Sequence, residues 1–402
     1  MAILAVNAGS SSLKFSMYPL AQGQVQPSVL SGNIQGLEPG GKPEMGWEFQ
    51  GRSQRKPLLP VADTDYAADK DPFSQALQSL RRLLLAVPEL PRIEAVAHRV
   101  VHGGQLFRSS VVVTDDILQQ LSALDSLAPL HQPHNVEGIR AFRSAFAGIV
   151  QVACFDTAYH ATMAEVDYAF ALPKALSAQG IRRYGFHGLS YQYVMSTLQD
   201  LSARANGRVL MAHLGNGASL CAATDGQSRA TTMGFSALDG LMMGTRCGAL
   251  DAGVLLYLLE QGWDHDRLQK LLYSQSGLLG VSGISADMRQ LRGDASPAAQ
   301  QAIALFTRRL LRESGALIAC LGGLDALAFT GGIGEHDAVL RERACFGLSY
   351  LGVALDQALN EQATGDRPMA IHLAASPVEV WVIPTDEGRV AAREAARLLL
   401  AQ

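Results

Sequence analysis

Cysteine is scarce in this chain of 402 residues: there are five, Cys154, Cys221, Cys247, Cys320 and Cys345, widely spaced and with no C-x-x-C pair. Such an odd, scattered set suggests neither a disulfide framework nor a zinc ribbon, and it fits a reducing cytoplasm, the expected location. Long apolar runs are missing too. None approaches the roughly 20 residues that span a bilayer, and the first residues lack a basic segment followed by an apolar core and cleavage site, so no membrane association is expected. There is also no block of Lys and Arg. With 33 basic against 37 acidic residues and a formal net charge of −4, the chain has no electrostatic footprint for nucleic acid or an anionic membrane.

What is present is enough apolar residue, 48% of the chain, to fill complete cores, and a length that suggests two to three domains. Apolar runs at 95–101, 148–155, 209–214 and 326–330 alternate with helical patterns, the longest from 297 to about 321, which indicates an α/β protein. Residues 36–70 read as loops around one or two short strands. Asp71-Pro72 then opens a helix by the cap-then-proline rule, with Phe73, Ala76, Leu77, Leu80, Leu84 and Val87 on one face.

The stretch VNAGSSSLKFSMY, residues 6–18, is a strand, a Gly/Ser turn and a second strand. It is not a Walker A loop, because Lys14 falls inside a strand alternation and no helix follows. Asn7, Ser10, Ser11, Ser12 and Lys14 still offer an amide, hydroxyls, backbone N–H groups and a cation, which suit a phosphate or its Mg²⁺; a polar hairpin tip is the plainer reading. VLMAHLGNGASLCAATDG, residues 209–226, repeats this plan, so two related halves are expected. A third strand runs into GGIGEH and then a helix from Ala338, a turn that could support a nucleotide. None of the three matches G-x-G-x-x-G, so a dinucleotide fold is not supported.

Several polar residues stand at strand ends or Gly turns, where reactive groups are displayed on a rigid scaffold. Arg99 in AHRVVHGG could grip a carboxylate or phosphate in two-pronged fashion, or make a surface ion pair. His98 and His102 flank it four residues apart, but the Arg-Val-Val between them reads as strand and no Glu completes H-E-x-x-H, so metal binding by the pair is not expected. Asp156 ends the strand in CFDTAYH, His187 lies in the turn of YGFHGLS, and Arg246 sits among glycines in GLMMGTRCG. Glu387 in PTDEGRVAARE either favours a helix dipole or helps hold Mg²⁺, a hard cation that takes oxygen ligands.

Taken in order, NAGSSSLK, HRVVHGG, APLHQPHN, FDTAYH, YGFHGLS, HLGNGAS, GLMMGTRCG, FTGGIGEH and PTDEG closely resemble the acetate/propionate kinase family over nearly the whole chain. The resemblance implies a two-domain, actin-like fold of the sugar kinase and Hsp70 ATPase type, with duplicated domains at 1–157 plus 387–402 and at 158–386, and a cleft that closes on ATP. It implies reversible, Mg²⁺-dependent transfer of the ATP γ-phosphoryl group to acetate or propionate, with Mn²⁺ an acceptable substitute, and a homodimer formed through the second domain. Arg99, Asp156, His187 and Arg246 correspond to the catalytic set, and Asn7 and Glu387 to the metal positions. Ser10, Ser12 and Lys14 line the phosphate side. The segments His213, Leu214, Gly215, Asn216 and Gly217, then Asp287, Met288 and Arg289, then Gly331, Gly332, Ile333, Gly334 and Glu335 correspond to nucleotide contacts. Val101, Leu130, Phe186 and Ala237 would form the pocket for the acid.

Five positions depart from the pattern. Ala237 stands where a proline is usual, Ala249 and Ala252 replace Asp and Pro, His336 replaces Asn, and Gly388 replaces a second acidic residue after Glu387. The first is expected to enlarge the pocket for the acid. An actin-like assembly or chaperone ATPase would keep the phosphate hairpins but have no use for Arg99, His187 and Arg246 together.

Overall fold

The computed structural model describes residues 1–9, 11–38, 40–58, 72–129 and 131–401, so the expectations at Ser10, Leu130 and Asp71 lie outside the described residues. The chain forms two compact units, Met1–Ala158 with Asp386–Gln402, and Tyr159–Thr385.

In the first unit the nearly all-apolar β1 (Ala2–Ala8) is buried along almost its whole length and takes the centre of the sheet. The alternating β2 (Ser12–Ala21) turns back antiparallel beside it, with Asn7 opposite Lys14, and buries Leu13, Phe15 and Met17 on its inner face. A short β3 (Gln24–Val25) pairs with β2, followed by β4 (Leu30–Gln35), β5 (Glu44–Phe49), β6 (Arg52–Pro57), β7 (Ile93–Val100), β8 (Val111–Val112) and β9 (Val150–Phe155). The order across the sheet is β6-β5-β4-β2-β1-β7-β9-β8, with β1, β7 and β9 parallel. In the Gly- and Pro-rich stretch 36–70, β5 and β6 form a hairpin; residues 59–71 are outside the described part. The helix Pro72–Ala86 buries Ala76, Leu77 and Leu80, and also Leu83, which the sequence reading left off its apolar face.

The second unit repeats the scheme. β10 (Arg208–Leu214) and β11 (Ala218–Thr224) form a hairpin extended by β12 (Gln227–Thr231), while β13 (Ala326–Thr330), β15 (Glu379–Val382) and the short β14 (Met369–Ala370) continue on the other side. The core order β12-β11-β10-β13-β15 matches β4-β2-β1-β7-β9, including which strands run parallel. Two copies of one arrangement therefore stand in the chain, as the paired hairpins suggest.

This topology sets where polar groups gather. Asn7 lies near the carboxyl end of β1, Arg99 at that of β7, and Asp156 immediately after β9, three neighbouring parallel strands. In the second unit the segments 213–217 and 330–335 occupy the carboxyl ends of β10 and β13, the edge where open α/β sheets bind ligands. GGIGEH departs from its reading as a turn: Gly331–His336 is itself a short helix, followed by the helix Ala338–Gly347.

Candidate active site

Arg99 is the centre of the first unit's polar cluster. Its Nε donates to Asp156 Oδ1 at 3.0 Å and its Nη2 to Asp156 Oδ2 at 2.6 Å, a two-pronged pair. Glu387 Oε2 stands 3.5 Å from the same Nε. Burial opposes the charge on Arg99, but the two carboxylates outweigh it and hold the guanidinium's pKa above its ordinary value. Asp156 is almost wholly buried, its side chain 2% exposed, so Arg99 is its necessary counter-ion. Glu387 opens the helix Glu387–Leu400, whose N-cap Asp386 accepts from the Arg389 amide.

A residue that the sequence reading did not single out braces this edge. Asn135 accepts from the Val101 amide at 3.0 Å and donates to the Ala8 carbonyl at 2.8 Å, tying together the ends of β7 and β1. Its only trace in the sequence is its place in the APLHQPHN motif. Ser12 closes the first turn through its carbonyl, which accepts from the Gly9 amide, and Lys14 is exposed on the outer face of β2.

The residues present fit a divalent cation of the Mg²⁺ type. Asn7 and Glu387 provide oxygen donors, and Glu387 keeps about a quarter of its side chain exposed. Among the described residues there is no group of three or more His, Cys, Asp or Glu able to hold a metal by itself. Mg²⁺ is commonly held in this way, by one or two carboxylates with phosphate oxygens and water completing its shell. His98, by contrast, is buried against Gln151, its Nε2 2.8 Å from Oε1, and burial lowers its pKa to about 4.

In the second unit His187 takes a left-handed backbone, φ 59°, at the N-cap of the helix Gly188–Leu201. Its Nε2 comes 3.4 Å from the point where a Cβ on Gly217 would stand, and Arg246 Nη2 comes 2.9 Å from the same point. The two side chains thus reach one place beside the HLGNG turn, which only glycine leaves open. Arg246 Nη1 donates to the Ala237 carbonyl at 2.6 Å. Among the described residues Arg246 pairs with no carboxylate, and burial lowers its pKa. A half-buried guanidinium without a carboxylate partner is prepared to receive an anion.

A cavity of about 920 Å³ opens beside this point, bounded by Gly215, Asn216, Asp287, Met288, Arg289, Gly332 and Ile333 from the predicted segments. His213, Leu214, Gly217, Gly331, Gly334 and Glu335 are not on its walls. Glu335 turns back on its own strand end, accepting from the Gly331 amide at 2.8 Å, which braces the Gly-rich helix. Arg292, His336, Asp337 and Val339 also bound the cavity; of these the sequence reading marked only His336. Asp287 caps the helix Met288–Arg292 and pairs with Arg289, whose guanidinium holds its carboxyl below the usual range. Phe186 is buried, and its carbonyl accepts from His160.

The sequence model of the acetokinase family matches residues 2–393. The chain belongs to the acetokinase family. It is 48% identical over 410 residues to an acetate kinase from Rhodopseudomonas palustris (strain TIE-1), covering 98% of each chain. Among solved structures, a propionate kinase from Francisella tularensis superposes with a TM-score of 0.88 at 34% identity, over 98% of both chains. The Porphyromonas gingivalis acetate kinase gives 0.87 at 32% identity, over 99% of both. The acetokinase fold is accordingly the two-domain, actin-like one that the duplicated hairpins imply. No helix among the described residues is long and apolar enough to cross a membrane.

Proposed function

We propose that this acetokinase-family chain catalyses the reversible transfer of the ATP γ-phosphoryl group to acetate, giving acetyl phosphate and ADP by direct in-line displacement. The observation that carries the reading is the meeting of Arg246 Nη2 and His187 Nε2 beside Gly217, at the carboxyl edge of β10. Acetate is already ionised at neutral pH, so no strong base is needed. The obstacle is bringing an anion against an anion, and catalysis must come from positioning and from cationic donors on the equatorial phosphoryl oxygens.

In this reading Arg246 and His187 donate to the transferring group, and the cavity beside them takes the nucleotide through Asn216, Asp287–Arg289 and the Gly331–His336 helix. Lys14 and the hydroxyls of Ser10 and Ser12 bind phosphate oxygens. Asp156 holds Arg99 in orientation rather than attacking phosphorus, and Arg99 binds the carboxylate. Phe186 and Ala237 of the second unit accommodate the acid's alkyl end. Asn7 and Glu387 would hold Mg²⁺, which when bound offsets the charge of the nucleotide phosphates. The enzyme works in the cytoplasm. It is a homodimer through its second unit, where the helix Ala252–Glu260 buries none of its residues and leaves Leu256 62% and Tyr257 58% exposed.

Propionate is the alternative acceptor, favoured by Ala237 in place of a proline. The activity is tested by following ADP release from ATP and Mg²⁺ with and without acid. Release that requires acetate is expected, with propionate a weaker substrate by kcat/KM. Acid-independent hydrolysis would instead indicate an actin-like ATPase.

A further inference from the structure

The histidine beside Gly217 is held by a line of hydroxyls that the reaction itself does not call for. His187 Nδ1 lies 2.9 Å from Ser219 Oγ, and Ser219 Oγ lies 2.5 Å from the hydroxyl of Tyr191. Ser219 comes from β11 and Tyr191 from the turn of helix following His187, whose carbonyl accepts the Tyr191 amide at 3.0 Å. Both are fully buried. The His213 ring stacks on His187 with centroids 4.2 Å apart, and is itself fixed by Ser190 Oγ at 2.8 Å from its Nδ1. Behind Tyr191, the His160 ring meets its edge at 5.7 Å.

Each hydroxyl has one proton to give, which sets the direction of the chain. Burial pushes the Tyr191 hydroxyl well above its usual pKa, so it remains a neutral donor, and the backbone of His213 also bonds to its oxygen. Donation from the Tyr191 hydroxyl to Ser219 Oγ is the direction that leaves the Ser219 proton for His187. In that arrangement Ser219 donates to His187 Nδ1, which leaves the imidazole proton on Nε2, the atom that reaches the point shared with Arg246.

We propose that Tyr191 and Ser219 are positioning residues that fix His187 as its Nε2–H tautomer, so that it presents a hydrogen-bond donor beside Arg246. The inference rests on the reading above in which His187 meets the transferring phosphoryl group. The left-handed backbone at His187, the stacked His213 and the hydroxyl line together hold the ring against both rotation and tautomer exchange.

The test uses the full-length enzyme with ¹⁵N-labelled histidine, assigned by comparison with His187→Gln. Long-range ¹H–¹⁵N spectra of the wild type should show His187 protonated at Nε2. Tyr191→Phe, which keeps the ring, should give a mixture of tautomers and lower kcat by about 10-fold to 100-fold, the scale of loss when a partner that orients a metal-ligating histidine is removed. KM for ATP and acetate should change by less than about 2-fold, because ground-state binding is untouched. Ser219→Ala should behave alike, and Ser219→Thr should restore the spectrum and most of kcat. A wild-type Nδ1–H tautomer would overturn the proposal. So would Tyr191→Phe or Ser219→Ala variants that lose only Tm while tautomer and kcat hold. If His187→Gln keeps full kcat, the role given to His187 itself fails, and that result is separate from the tautomer spectrum.

Discussion

Asp156 takes two hydrogen bonds from Arg99, at 3.0 and 2.6 Å, while Arg246 in the other unit donates to the carbonyl of Ala237 and, among the described residues, pairs with no carboxylate. The two arginines are thus prepared differently, one neutralised and oriented by carboxylates, the other half-buried and, among the described residues, without a carboxylate partner. Arg99→Ala and Arg246→Ala should each lower kcat by roughly 10³-fold, the scale of an arginine that stabilises phosphoryl transfer. Asp156→Asn should lower kcat, because Arg99 loses its fork. It should also destabilise the first unit by about 3 kcal/mol, as removing one partner of a buried pair does. Steady-state kinetics and urea unfolding separate the two effects. Near-normal turnover in Arg246→Ala would remove that residue from the mechanism.

Asn7 contributes an uncharged oxygen at the end of β1, so its loss should weaken metal use without disturbing the ion pairs of Arg99. Asn7→Ala is expected to raise the Mg²⁺ concentration giving half-maximal rate, with kcat largely recovered at saturating Mg²⁺. An unchanged Mg²⁺ titration would dismiss its metal role.

Gly388 has a structural cause in this chain. A Cβ placed there would stand 2.5 Å from the Tyr18 hydroxyl, which donates to Asp386 Oδ1 at 2.6 Å. A side chain at this position, such as the second acidic residue that the resemblance implies, therefore requires Tyr18 to shift. Gly388→Asp should cost about 1–3 kcal/mol by overpacking. The penalty should shrink in a Tyr18→Phe background, and a double-mutant cycle of Tm values measures the coupling. Strictly additive effects would show that Tyr18 is not the obstacle.

His98 and His160 are both buried and neutral, with burial lowering each pKa from 6.5 to about 4 against the opposing pull of Gln151 and of the Phe186 carbonyl. The unfolded chain takes up their protons first, so the stability they allow is complete above about pH 6.5 and is lost as pH falls toward 4. At the lower end each contributes about 3 kcal/mol of loss. Urea midpoints measured at pH 7 and pH 5 should fall clearly in the wild type. His98→Gln should flatten that fall, and an equally steep fall in the variant would contradict the assignment.

Much of this was legible in the sequence because the fold places chemistry at predictable positions. The apolar run at the start of the chain and the alternation after it define β1 and β2, and the same pattern at 209–226 defines β10 and β11. Arg99, Asp156 and Asn7 come together because three parallel strands end side by side, and a strand end followed by Gly or a polar residue marks each one. The Gly331–His336 helix was not legible. Its glycines read as a turn, and what braces it is the Glu335 carboxylate folding back onto the Gly331 amide, a contact that spacing alone does not disclose. Tyr191 was equally hidden, and Ser219 showed only as the last residue of the HLGNGAS motif, since a tyrosine on a helix and a serine in a strand read as ordinary residues until the two elements pack. Asn135 escaped notice for the same reason, because its partners at Val101 and Ala8 are distant in the chain.

The most direct measurement is acyl phosphate formation, trapped as the hydroxamate, with ATP, Mg²⁺ and in turn acetate, propionate and butyrate. Strong acetyl hydroxamate, weaker propionyl hydroxamate and loss of both in Arg246→Ala are expected. No hydroxamate with any acid, from folded protein that still binds ATP, would contradict phosphoryl transfer to a carboxylate.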